Sequence, residues 1–293
     1  TTNTLAPTIS HIAIENVYVT EVGGTTPITE LCVGKTYTAH YTSTGAVAVE
    51  VGGVPQTNVV YNLQTDETTF YDAGNAEEVD IVFNTAGAHS FDILALDMNS
   101  FCSDSYVHFV NVNELPMATI SVSSHTPVAL NEYEPCAEDA LVIELSSSDF
   151  RLNVDGVDID VDSDSHFEVD GNKITTKYLS TEGTKTIFAT IIDASTGCEA
   201  VTPEIKVTWK APIEFTTNDP SLFTIDEGRI EICQNNMFTI IASSVDITGD
   251  KYSVNVDGVE VATNVSSYSY TGTSIGTQIV TFVANYDSGE TCE

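Results

Sequence analysis

One arrangement of prolines and cysteines recurs three times along the 293 residues. A repeat of this length marks a tandem array of one domain type rather than a single large core. Each copy opens on a proline ahead of a β-rich run: Pro7-Thr8-Ile9, Pro116-Met117-Ala118-Thr119-Ile120 and Pro212-Ile213-Glu214-Phe215. Each holds an early and a late cysteine: Cys32 and Cys102, Cys136 and Cys198, Cys233 and Cys292. The late cysteine lies five residues after an aspartate, at Asp97, Asp193 and Asp287. In the first two copies the next opening proline follows 14 residues after the late cysteine. The same ruler carries the third copy to about residue 306, past Glu293, so the chain reads as a segment of a longer array. The implied domains are 1–115, 116–211 and 212–293, the third without its last strand.

Within each copy the periodic residues are strand formers, and no run of ten or more has sustained helical periodicity. The first strand changes inward parity between Ile14 and Val17, which predicts a bulge or a change of sheet there. An alternating strand follows the early cysteine: Tyr37, Ala39, Tyr41; Leu141, Ile143, Leu145; Phe238, Ile240, Ala242. Next come Val49-Glu50-Val51-Gly52-Gly53-Val54, Leu152-Asn153-Val154-Asp155-Gly156-Val157 and Val254-Asn255-Val256-Asp257-Gly258-Val259. Alternation around Gly-Gly or Asp-Gly specifies a two-residue hairpin, because those residues tolerate positive φ. The three hairpins fall at matching places in the copies.

Gly87, Gly183 and Gly276 each precede a strand that leads to the Asp-to-Cys interval. An aspartate opening such an interval accepts backbone hydrogen bonds two residues on, so the interval reads as a tight turn. A final strand, 106–112 and then 204–209, runs into the next proline and leaves only short, stiff linkers. Short strands with turns every 8–12 residues indicate three tandem immunoglobulin-like β-sandwiches, all-β throughout. The core tryptophan of antibody domains is missing; Trp209, the only one, lies on a last strand.

The cysteines fall at the same places in each copy, so the expected disulfides are Cys32–Cys102, Cys136–Cys198 and Cys233–Cys292, each within its own copy. No Cys-x-x-Cys pair and no histidine spacing suggests a metal site instead. Three disulfides imply an oxidising compartment. The net charge of −34 is shared by all copies and repels nucleic acid and anionic lipid. It suits a solvated surface in salty water, or one that collects divalent cations. No apolar stretch is long enough to span a bilayer.

The order Cys-x-Gly (Cys32-Val33-Gly34), glycine, strand, Asp, short turn, Cys, then a strand ending in Pro resembles the Ig-like and PKD-like repeats of giant secreted Bacteroidetes surface proteins, including gliding-motility adhesins and cell-surface fibres. The later copies read Cys136-Ala137-Glu138 and Cys233-Gln234-Asn235, so Cys-x-Gly belongs to the first copy alone. The resemblance implies export, display on the cell exterior, a sorting domain outside these residues and no catalytic residues.

One stretch suggests a ligand. Asp158, Asp160, Asp162 and Asp164 alternate, and in a strand all four point to one face. Crowded carboxylates favour a calcium ion, although the glycine and closing glutamate of an EF-hand loop are missing. The alternative is a solvated acidic face that deters edge pairing. No other cofactor is implied. Hydrolytic motifs such as Gly-x-Ser-x-Gly or His-Glu-x-x-His are absent. Asn264-Val265-Ser266 fits a glycosylation sequon, and Tyr268 and Tyr270 form either a sugar platform or ordinary strand aromatics.

The expected function is a structural stalk or fibre segment of a large extracellular adhesin or appendage, and not an enzyme. Its partners are neighbouring repeats of the same chain, a homo-oligomeric fibre, or a cell-surface or polysaccharide ligand. The alternative is a non-catalytic binding array attached to a secreted polysaccharide-degrading or surface enzyme. A third sandwich without its last strand exposes an edge along 278–285 or 252–256. Either the following residues of the parent protein fill that edge, or a neighbouring chain's strand does, in a symmetric oligomer.

Overall fold

The computed structural model describes residues 11–51, 54–137, 139–177, 179, 183–218, 232–249, 251–273, 275–286 and 291–292. Pro7-Thr8-Ile9, Gly52-Gly53, Glu138 and residues 287–290, with Asp287, lie outside them. The described residues are all-β. They form two compact units: Thr1–Pro116 with Ile192–Ala200, and Met117–Ile191 with Val201–Glu293.

The first copy contains β1 (Ala13–Glu21), β2 (Glu30–Cys32), β3 (Thr36–Thr44), β4 (Val49–Val51) and β5 (Val54–Gln56). It continues with β6 (Val59–Thr65), β7 (Phe70–Gly74), β8 (Glu78–Val82), β9 (Gly87–Asp97) and β10 (Ser103–Asn113). One sheet has the order β1-β3-β8 and the other β2-β10-β9-β6-β7. Among the described strands of this copy, only β2 and β10 run parallel. This is the strand order of an immunoglobulin-like sandwich. Tyr37, Ala39 and Tyr41 point inward, as their alternation requires, against Phe91, Ile93 and Ala95 of the facing sheet. The expected bulge in β1 is present: pairing with β3 shifts between Glu15 and Tyr18, and Asn16 takes φ 53°.

The second copy runs β11 (Ile120–Val122), β12 (Glu132–Tyr133), β13 (Leu141–Leu145), β14 (Phe150–Val154) and β15 (Val157–Ile159). Then follow β16 (Phe167–Asp170), β17 (Lys173–Thr176), β18 (Lys185–Ile192), β19 (Glu199–Val201) and β20 (Ile205–Val207). The sheets are β11-β13-β17-β16 and β12-β20-β18-β14-β15, with β19 on β18. Trp209 lies just beyond β20 and is fully buried in this core.

The third copy has β21 (Glu214–Thr217), β22 (Met237–Ser243), β23 (Tyr252–Val256), β24 (Val259–Val265), β25 (Ser267–Thr271), β26 (Val280–Asn285) and β27 (Thr291–Cys292). Its sheets are β21-β22-β25 and β24-β23-β26-β27. β27 covers Ala284 and Asn285 of β26. Along Val280 to Val283, no described strand lies on the side of β26 away from β23. The corresponding side of β9 is paired with β10, and that of β18 with β20.

The Asp-Gly hairpins form as expected. Asp155 and Gly156 have φ 53° and 83°, Asp257 and Gly258 φ 49° and 78°, so both central residues are left-handed. Each aspartate also reaches across to the neighbouring strand: Asp155 Oδ1 accepts from Thr186 N and Asp257 Oδ1 from Ile279 N, both at 2.9 Å. The first copy departs from the pattern. The strands on either side of its Gly-Gly motif, β4 and β5, make a separate two-stranded ribbon. The strand that pairs with β9 is β6, which β7 flanks. Val49 and Val54 of the ribbon are exposed, so its alternation serves no core.

Candidate functional site

The acidic stretch does not form a four-carboxylate face. β15 ends at Ile159, and residues 161–163 turn. The Asp160 carbonyl accepts from Ser163 N at 3.1 Å and Asp164 N at 3.0 Å. Ser and Asp offer the backbone such local bonds in competition with a sheet ladder, and here the turn wins. Asp158 alone stays on a strand, where its Oδ1 accepts from Asn153 Nδ2 at 3.0 Å. Asp162 is exposed on the turn. Asp164 Oδ1 accepts from His166 N at 2.9 Å and lies 2.8 Å from His166 Nδ1. The backbone N–H of His166, and then its ring, hold the Asp164 carboxyl below the usual range. Among the described residues, no group of three or more His, Cys, Asp or Glu is gathered as a metal site requires. Tyr268 and Tyr270 lie on β25 and pack against the third core, Tyr270 edge-on to Phe238 at 6.0 Å.

What the fold does build is a pair of sulfur bonds between copies. The structure joins Cys32 to Cys198 and Cys136 to Cys292, each with Cα atoms 5.6 Å apart. The expected pairings within copies, Cys32–Cys102, Cys136–Cys198 and Cys233–Cys292, are not formed. Strand register gives the reason. Cys32 stands beside Asn113, at the far end of β10, whereas Cys102 immediately precedes Ser103, at its start. Eleven residues of strand separate the two positions, about 35 Å at ~3.3 Å per residue. A disulfide needs Cα atoms within about 7 Å. In the second copy, too, Cys136 bridges in parallel to Lys210, while Cys198 lies before β19. Early and late cysteines therefore occupy opposite ends of a sandwich. Neither Cys32 nor Cys136 therefore reaches the late cysteine of its own copy, and each is bonded to the late cysteine of the following copy.

Among the described residues, recurring turns present the late cysteines Cys102 and Cys198 and all three early ones. At the late position, Asp97 N donates to Cys102 O and Asp193 N to Cys198 O, both at 2.9 Å. The aspartate carbonyls accept from Phe101 N and Gly197 N, both at 2.7 Å. The residue before the cysteine is left-handed in each turn, Phe101 with φ 57° and Gly197 with φ 74°. The side chains cap the turn as expected: Asp97 Oδ1 accepts from Asn99 N at 3.0 Å, and Asp193 Oδ1 from Ser195 N at 2.9 Å. Asp97 is also fully buried, and its Oδ2 accepts from Val47 N and Ser100 Oγ. Burial alone would raise its carboxyl, but the bonds from Ser100, Val47 and Asn99 outweigh that and hold it below the usual range. Cys102 itself is half-buried against the first core.

The early cysteine opens a different turn, the same in all three copies. Its carbonyl accepts from the backbone three residues on: Lys35 N to Cys32 O at 3.3 Å, Asp139 N to Cys136 O at 3.0 Å, and Asn236 N to Cys233 O at 3.1 Å. The left-handed residue is Gly34 in the first copy and Asn235 in the third, with φ 73° and 67°. Both turns are pinned to the end of a neighbouring strand, Gly34 N to Phe83 O at 2.8 Å and Asn235 N to Gly272 O at 2.7 Å. Sequence reasoning missed these carbonyl anchors, because Phe83 and Gly272 carry no side-chain signal for them.

Around Cys136–Cys292 the junction is well built. Lys210 Nζ lies 2.6 Å from Glu134 Oε2 and 4.8 Å from the Tyr286 ring centroid. Burial pushes the Tyr286 phenol up. Asp246 Oδ2 accepts from Ala211 N, and Ser244 Oγ donates to Ala211 O at 3.3 Å. These contacts tie the linker after β20 to the third copy.

No family model matches the chain, and no curated protein does. Solved structures similar to it include the D1–D4 ectodomain fragment of ICAM-5, at 13% identity and TM-score 0.33, covering 96% of this chain and 73% of that one. Others are the fibronectin(III)-like modules of Clostridium thermocellum CbhA, at 15% identity and TM-score 0.29, covering 68% and 94%. A third is the Ig1-2 module of the Drosophila receptor protein tyrosine phosphatase DLAR, at 6% identity and TM-score 0.26, covering 68% and 99%. No helix among the described residues is long and apolar enough to cross a membrane.

Proposed function

We propose that this chain is a covalently stapled stalk segment of an extracellular adhesin or surface appendage. In this reading three Ig-like domains, 1–115, 116–211 and 212–293, act as non-catalytic spacers. The observation that carries it is the pair of disulfides joining successive copies, Cys32–Cys198 and Cys136–Cys292. A module that only had to fold would need bonds within itself. Bonds between modules resist being pulled apart, and they persist in an oxidising exterior. The acidic surface suits a solvated extracellular fibre, and it disfavours nucleic acid and anionic membranes as partners.

Stretching single molecules from end to end tests this. Under tension the two bonds leave only the 62 residues from Cys136 to Cys198 as the extensible path between Cys32 and Cys292, about 210 Å. In reductant the full 260 residues from Cys32 to Cys292 extend, about 880 Å. A long extension without reductant sinks the proposal.

A further inference from the structure

We propose that Cys233 is the attachment point for a further copy of this repeat, taking in disulfide linkage the late-turn cysteine of an Ig-like domain. The proposal rests on the stapled-stalk reading and extends it beyond the bonds present. Two observations carry it independently. First, the two positions equivalent to Cys233 are both bonded, and to the same chemical partner: Cys32 and Cys136 each hold the late cysteine of the following copy. Second, Cys233 is already presented for that bond. Its carbonyl closes the same three-residue turn as Cys32 and Cys136, and Asn235 N holds the turn to Gly272 O as Gly34 N holds it to Phe83 O. The preformed turn is what an incoming sulfur needs, since no ordering cost remains on this side.

Exposure fits the same assignment. Cys32 is buried beneath its bonded partner, whereas Cys233 is exposed and carries no disulfide. An exposed thiol is a liability on a secreted surface unless something takes it up. The chemistry is thiol–disulfide exchange. The incoming cysteine arrives as a mixed disulfide with glutathione, the oxidant being oxidised glutathione. The Cys233 thiolate attacks the incoming cysteine's sulfur, a protein S–S bond forms, and glutathione leaves with the bonding electron pair and takes up a proton.

The recognition element is the late turn: an aspartate, four residues, then cysteine, with the residue before the cysteine left-handed. A synthetic peptide of residues 190–201, its Cys198 capped by thionitrobenzoate, supplies that turn, and a scrambled peptide with the same cap is the control. Both are mixed with the oxidised full-length chain, and release of the coloured thiol is followed. The turn peptide should react about tenfold faster than the scrambled one, because docking raises the local concentration of its sulfur. Peptide mapping should place it on Cys233, and Cys233→Ser should remove the adduct. Equal rates for the two peptides, or an adduct at another position, would overturn the proposal. The chain alone is also incubated in glutathione buffer. A disulfide oligomer that joins Cys233 to Cys102 of a second chain assigns the further copy to that chain, a Cys233–Cys233 dimer overturns the late-turn assignment, and a monomer that still captures the peptide assigns it to a copy joined in line. The stapled-stalk reading fails separately, if mapping of the untreated chain finds Cys32–Cys198 or Cys136–Cys292 missing.

Discussion

Asp97 shows how much one residue of the late turn must do. Three donors converge on its carboxylate, from Val47, Asn99 and Ser100, at a site closed to water. Asp97→Ala leaves buried donors without an acceptor, which should destabilise the first sandwich by about 1–3 kcal/mol in thermal or urea unfolding. Asp193→Ala, whose turn is less buried, should cost less. The pH dependence has a definite sign. Hydrogen bonds depress the folded carboxyl below its unfolded value of about 3.9. The stabilisation is therefore fully present above that value and is lost as pH falls through the folded one. Asp97→Asn should flatten this acid limb of the stability curve, and an unchanged limb would assign it to other carboxylates. That an aspartate opens this turn was legible in the sequence, because Asx turns are local. That its second oxygen serves Val47 was not, because 50 residues separate the two and nothing in either neighbourhood announces the pairing.

At the level of strands and hairpins, local chemistry was readable and its place in the sandwich was not. Asp155-Gly156 and Asp257-Gly258 form the turns their residue types require. Gly156 has φ 83°, with nothing within 4 Å of where a Cβ would stand. Gly156→Ala thus meets no clash and costs only the left-handed backbone strain, about 1–2 kcal/mol. Melting the full-length variant beside the parent measures this, and a loss below a few tenths of a kcal/mol would show that the turn relaxes to another type. In the first copy β4 and β5, on either side of the Gly-Gly motif, also pair, yet that ribbon stands apart from both sheets. Alternation and turn residues say that two short strands pair; they do not say which sheet receives them. The acidic stretch teaches the same limit from the other side. Alternating aspartates share a face only while the strand continues, and the Ser163 and Asp164 bonds to the Asp160 carbonyl end it.

For the whole molecule, the disulfide pattern was the feature least legible from spacing. An early and a late cysteine in each copy satisfy pairing within a copy and pairing to the next copy equally well. Only the parallel register of β2 on β10, which sends Cys32 to the end of the sandwich away from Cys102, decides between them. The consequence is topological. The loops closed by Cys32–Cys198 and Cys136–Cys292 span 166 and 156 residues and overlap. In the chain-entropy model each constrains the unfolded state by at most about 5 kcal/mol, and overlapping loops do not simply add. Overlap also means that no single cut between residues 32 and 292 can separate the chain into pieces. Glu114 and Glu204 are exposed and lie in the links between strands, so a glutamate-specific protease offers a direct test. After brief digestion at both sites the unreduced protein should still migrate as one species near 31.4 kDa. Reductant should resolve it into the segments 1–114, 115–204 and 205–293. Disulfides confined to single copies would release those segments without reductant. A chain that stays whole after being nicked between its strands remains connected where proteases attack first, which is the property the proposed stalk requires.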